Sequence, residues 1–173
     1  MSVMPGRWTH VVAVGTAAGR LASIDPRFAE FVAPAAWLHD VGYSPGVSAT
    51  GCHPLDGARF LQVREAPAEL VSLVAYHSGA EFEAEERRLV GQLEAFERPP
   101  QLDLDILTLV DMTNGPSGEP LSVDERLREI LSRYGPSDPV HRAVTRSSEY
   151  LGACCSRAQE FLASSKERMR VIL

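Results

Sequence analysis

The sequence predicts an all-α fold, and three observations predict it. Apolar residues recur at about the 3.6-residue helical period along most of the chain. No run alternates apolar and polar residues as a half-buried strand does. Helix start and stop signals divide the chain into segments of roughly helical length. With 173 residues and 45% hydrophobic content, the chain reads as one domain, 1–173, with enough apolar material for one core. We expect a bundle of about six to eight helices.

The elements follow in order. The first helix covers roughly residues 7–23. Asp25-Pro26 starts the second, with Asp at the N-cap and Pro in the first position, and that helix runs to about Asp40, adjusted at Pro34. The segment VGYSPGVSATGC is a loop. The third helix opens at His53-Pro54 and ends before Pro67; the fourth runs from Pro67 to about His77. Residues 80–96, AEFEAEERRLVGQLEAF, read as one charged amphipathic helix on the surface. LDLDILTLVDM is the most apolar of the later helices, and the loop NGPSGEP follows it. Ser122 and Glu125 form a capping box for a helix over 122–134. YGPSDP stops it, and a long last helix covers about 138–165.

Charge narrows the function. The net charge is −6, and the 17 basic residues, all arginine except Lys166, are scattered. That excludes nucleic acid as the main partner. A small anionic substrate remains open, because a bound metal can supply local positive charge. The three cysteines, Cys52, Cys154 and Cys155, make no disulfide framework, and a cytoplasmic location fits best. VVAVGTAAG follows Arg7 but is short, carries two glycines and is closed by Arg20, so it reads as core helix and not as a secretory signal. No stretch approaches the roughly 18 apolar residues that span a membrane.

The stretch AAWLHDVG raises a sharper question. His39 and Asp40 stand side by side where a buried helix ends. A histidine there interacts well with the last carbonyls, and a glycine just past the end is the usual stop. Metal binding is the other reading, and the remaining histidines bear on it. Of the five, His10 lies inside the first helix, His53 opens the third and His77 closes the fourth, while His141 lies apart in DPVHRA. Asp111 follows Leu104, Leu107 and Thr108 at helical spacing, which puts a carboxylate near a buried face. An unpaired carboxylate there is expensive, so it needs a partner. Imidazoles and carboxylates together suit zinc, iron, manganese, nickel or cobalt. Six ligands, His10, His39, Asp40, His53, His77 and Asp111, are too many for one open catalytic ion and natural for two ions that share a carboxylate.

These residues resemble the HD superfamily of metal-dependent phosphohydrolases. The family pattern of an early histidine, a His-Asp doublet and a later aspartate is matched by His10, His39-Asp40 and Asp111. The two-metal branch adds two histidines between, matched by His53 and His77, and HPLDGARFL, LVAYHSGA and LTLVDMTNGPSG are similar to its local contexts. The resemblance spans about residues 7–115, with helices over about 122–165 beyond it. HDVGYSP with HPLDGARFL looks closest to small stand-alone bacterial HD-domain proteins.

The resemblance implies a mechanism in which a hydroxide bridging two divalent ions attacks phosphorus in a nucleotide or another small phosphoester or phosphoanhydride. Asp40 would bridge, His10, His39 and Asp111 would complete one shell, and His53 and His77 the other. Two-metal relatives include hydrolases of dinucleoside tetraphosphates and phosphodiesterases of cyclic dinucleotides. The latter carry a lysine soon after the doublet, where this chain reads VGYSPG with Tyr43, which weakens the cyclic-dinucleotide reading. Tyr43, Ser78, Thr113 and Asn114 adjoin the ligands in sequence and are candidates to face the substrate. Two alternatives use the same residues: a di-iron oxygenase that cleaves a C–C or C–P bond, and a non-catalytic metal- or nucleotide-binding module. Helix 80–96 and the last helix leave room for a homodimer.

Overall fold

A computed structural model describes the backbone of residues 5–172 and the side chains of residues 7–165. Among the described residues there are eight helices longer than one turn, one single-turn helix and no strand. They are α1 (Pro5–Ile24), α2 (Val32–Leu38), α3 (His53–Gln62), α4 (Ala68–Tyr76), α5 (Ala80–Glu86), the single turn α6 (Val90–Leu93), α7 (Gln101–Met112), α8 (Val123–Arg133) and α9 (Pro139–Ile172). Short 3-10 turns cover Pro26–Phe28, Val41–Tyr43 and His77–Gly79. No helix of the described residues is long and apolar enough to cross a membrane.

The apolar helix α7 is the centre. Every residue from Leu104 to Met112 is buried, because α1, α2, α4 and α9 pack around it. A helix buried on all sides has to satisfy its polar groups internally. Asp105 does so with a two-pronged contact from Arg157 of α9, at 2.7 Å to each oxygen. On α1 the buried residues His10, Val11, Val14 and Ala18 follow the helical period and face α2 and α7.

Two expectations are corrected. The start signal Asp25-Pro26 works, since the Asp25 carboxylate accepts from the Arg27 amide, but it opens only the 3-10 turn Pro26–Phe28. A helix running from there to Asp40 would hold Pro34 in its interior, where the ring collides with the carbonyl of Glu30. The chain instead restarts at Val32, so Pro34 falls in the first turn of α2, where its missing N–H is no loss. The expected surface helix over 80–96 is two helices, broken by Arg88 at a φ of 60°. Its first half is not a solvated face. Ala80, Glu83 and Ala84 are buried and let α5 lie against α9. The outward charges Glu85 and Glu86 are matched by Arg142 and Arg146 of α9 at 2.5–2.9 Å.

The loop after the His-Asp doublet is pinned. Asp56, buried in the first turn of α3, accepts hydrogen bonds from the Ala49 and Thr50 amides and the Thr50 hydroxyl. Gly42 then lets the Val41–Tyr43 turn approach α3. A Cβ at Gly42 would stand 1.9 Å from the carbonyl oxygen of His53. Gly42→Ala is therefore expected to cost about 1–3 kcal/mol. A lower urea midpoint with an unchanged slope would show it, and an unaltered midpoint would mean that the turn and α3 can separate freely.

Candidate metal centre

Five helices deliver the six expected residues to one place. His10 projects from the middle of α1. His39 closes α2, and Asp40 begins the turn that follows. His53 opens α3, His77 directly follows α4, and Asp111 sits in the last turn of α7. They form two triads, His10–His39–Asp111 and Asp40–His53–His77, each with potential ligand atoms within 4.8 Å of one another. Asp40 lies between the two. Its Oδ1 is 3.4 Å from His53 Nε2 and 3.6 Å from His39 Nε2. The capping reading of AAWLHDVG holds, since His39 donates from Nδ1 to the carbonyl of Ala36 at 2.8 Å, and the same bond leaves Nε2 turned inward.

The same device recurs. His77 Nδ1 donates to the carbonyl of Val74 at 2.7 Å, and His10 Nδ1 to that of Gly115 at 3.2 Å. Each bond fixes a tautomer and aims Nε2 at the centre. The Nε2 atoms of His10 and His39 then lie 3.4 Å apart, and those of His53 and His77 3.1 Å apart. Converging lone pairs repel unless a proton or a cation lies between them. His53 supplies a further sign. Its Nδ1 is buried without a hydrogen bond, 3.9 Å from the Glu83 carboxylate. A cation between His53 and His77 would leave the His53 proton on Nδ1, on the side where Glu83 stands. The donor set fits divalent metal ions.

Charge is balanced in the protein alone. Burial pushes the Asp40 carboxyl up, but His39, His53 and Arg7 outweigh it and hold it well below the usual carboxylate range. Asp111 is likewise pushed up by burial and held lower by His10, His39 and Arg126. Arg7 donates to Asp40 Oδ2 at 2.8 Å, and His10 Nε2 meets Asp111 Oδ1 at 3.0 Å. Burial lowers the imidazoles of His53 and His77 toward the neutral form. It acts on His10 in the same sense, but there the bond to Asp111 prevails and the net shift is upward.

Ser78 is held in a left-handed conformation, at a φ of 48°, between His77 and Gly79. A non-glycine residue there costs on the order of 1–3 kcal/mol. The kink turns its hydroxyl onto Asp111 Oδ2, at 2.5 Å.

A cavity of about 320 Å³ opens from the centre. Its wall includes Tyr43 and Ser78 among the expected substrate-facing residues. Tyr43 stacks on the His53 ring at 4.0 Å and carries the Arg7 guanidinium on its other face at 3.4 Å. Thr113 and Asn114 are not in the wall. Their side chains turn back to the carbonyls of Leu109 and Val110 and cap α7, because the last turn of any helix leaves carbonyls unpaired. His141 donates to the carbonyl of Tyr134 and stays outside the triads.

Three residues at the centre were not anticipated. Arg126 is buried on α8, with Nη2 3.5 Å from His10 Nε2 and 3.8 Å from Asp111 Oδ1, and its Nε has no partner. A signal for it exists, since Val123, Arg126, Leu127 and Ile130 share one face at helical spacing. Arg7 stands three residues before His10 on the same face of α1, and Glu83 three after Ala80 on the buried face of α5.

With this geometry the helical scaffold and its His-Asp centre define a class of metal-binding domain. The HD domain family model matches residues 7–133, and the chain belongs to that family. HD domains are mostly metal-dependent hydrolases and typically bind divalent metals. No curated protein and no solved structure matches the chain.

Two outcomes follow from the centre. Glu83→Gln should weaken metal binding about 10–100-fold, as loss of a carboxylate behind a ligand histidine does, measured by metal titration calorimetry. Unchanged affinity would mean that Glu83 serves only Arg87, its partner at 2.7 Å. The metal-free protein should also lose stability on acidification. The lowered pKa values of His53 and His77 mean that the unfolded chain takes up more protons below about pH 6.5, and those of Asp40 and Asp111 add to this below about pH 4. The raised pKa values of His10 and Glu83 act in the opposite sense, but those shifts are smaller than the one at His53. Urea midpoints of chelated protein at pH 7 and pH 5 measure this, and a higher midpoint at pH 5 would refute it.

Proposed function

We propose that the protein is a metal-dependent phosphohydrolase acting on a small phosphorylated substrate. One observation carries the reading. The six ligand-type residues form two adjacent triads at one end of a cavity whose cationic lining is Arg7, Arg126 and Arg133. His10, His39 and Asp111 would hold one divalent ion and His53 and His77 a second, with Asp40 shared between them. Such ions supply Lewis-acid charge to a phosphoryl group and lower the pKa of water.

The chain's own groups do the rest. Arg126 lines the cavity, and its guanidinium, whose buried Nε is unpaired, is a donor for a phosphoryl oxygen. Ser78 fixes one oxygen of Asp111 and so restricts how that carboxylate can turn. Tyr43 flanks His53 and narrows the entrance beside Arg7. Burial of the centre excludes bulk water, which strengthens each of these interactions.

The test is metal analysis joined to mutation. Protein purified without chelator should carry close to two divalent ions per chain and release phosphate from phosphoesters, and chelation should abolish that activity. Asp40→Ala should lower both metal content and activity by more than the ~10–100-fold typical of an outer partner. His141→Ala should change either by much less. Equal effects from the two substitutions would refute the ligand assignment. Iron with oxygen uptake, and no phosphate release, would refute hydrolysis.

A further inference from the structure

The cavity wall joins two kinds of surface. One is polar and includes triad residues and Arg126. The other is an apolar lobe made of Pro116, of Ile130 of α8, and of Val140, Ala143, Val144 and Leu151 of α9. Ala143 and Leu151 are buried, with 4% and 1% of their surface exposed. These side chains offer no hydrogen bond, and the polar groups of the wall next to them in sequence are those of Arg133 and Tyr134. Ser147 lines the cavity too, but its hydroxyl is turned to the carbonyl of Val144. The α9 part of the wall also lies beyond residue 133, where the family match ends. At about 320 Å³, the whole cavity is at the small end for ligand sites.

We infer that the substrate is a phosphate monoester of a small apolar alcohol or phenol, with its phosphoryl group at the triads and its organic group in the lobe between α8 and α9. This rests on the phosphohydrolase reading. A nucleotide suits the apolar lobe poorly, since the polar edges of a base would lose water against its aliphatic side chains. Arg126 matches the phosphoryl group of the ester, because a phosphoryl dianion accepts from a guanidinium, and its Nε–H is unpaired. In the reaction water adds to phosphorus and the bond from phosphorus to the ester oxygen breaks. One proton of the water goes to the departing alkoxide or phenoxide, and the other stays with the phosphate. The products are an apolar alcohol and inorganic phosphate.

The experiment compares kcat/KM of the metal-loaded protein across methyl, propyl and hexyl phosphate, phenyl phosphate and nucleoside monophosphates. Each methylene buried in the lobe should raise kcat/KM about fourfold. Alkylphosphonates, which the protein cannot hydrolyse, should bind in the same order in calorimetry, with a heat-capacity change that becomes more negative along the series. Ala143→Phe fills the lobe and should collapse the ratio of hexyl to methyl phosphate. Val144→Ser, a milder change on the half-buried side of α9, should lower the same ratio if the phenylalanine variant does not fold. A flat series, or a preference for nucleotides, with phosphate still released would overturn this inference and leave the phosphohydrolase reading standing. No phosphate release from any of the esters would overturn both.

Discussion

Two carboxylates in a helical core dictate much of this structure. Asp40 and Asp111 are 8% and 7% exposed, and an uncompensated charge at such depth costs several kcal/mol. Compensation comes from distant parts of the chain: Arg7 and His10 on α1, His39 after α2, His53 at the head of α3, and Arg126 on α8. Bringing these groups to one spot means bringing the helices that carry them. The polar centre thus specifies how α1, α2, α3, α7 and α8 meet, while the apolar contacts around α7 supply the bulk of the driving force.

Much of the centre could be read from the sequence because its members are chemically rare. Five histidines in the chain, four of them at or within helices of the first half, leave few ways to be arranged. A helical period and a start or stop signal then fix which end of each element they occupy. The arginines could not be singled out in that way. Sixteen of the 17 basic residues are arginine, so Arg7 and Arg126 look like any others until the helix face they occupy is known. Glu83 was hidden further, inside a run of glutamates that reads as solvated surface. Only the small Ala80 and Ala84 on either side reveal that this face of α5 lies against α9.

The boundaries went astray for a local reason. Asp25-Pro26 and the run 80–96 both carry valid helix signals, yet each element is cut short by something three or more residues away. Pro34 cannot lie inside a helix begun at Pro26, and Arg88 takes a left-handed backbone that ends α5. Propensity sums over a window, whereas one forbidden residue breaks a helix at one point. The left-handed Ser78 belongs to the same class of feature, with a use attached. Between α4 and α5 the His77–Gly79 turn joins the two helices and, through that strained backbone, hands a hydroxyl to Asp111.

Helix α9 runs from Pro139 to Ile172, lines part of the cavity, and packs against α7 and the His77–Gly79 turn. Its anchor points, Arg157 on Asp105 and Arg142 and Arg146 on α5, are remote from the ligand-type residues. The groups that would do chemistry and the walls that would choose the molecule therefore lie on separate stretches of polypeptide. Substitutions near the start of α9, at Val140 and Val144, can reshape selectivity without replacing any residue of the His-Asp cluster. Descendants of this chain could accordingly diverge in what they accept while keeping one reaction centre intact.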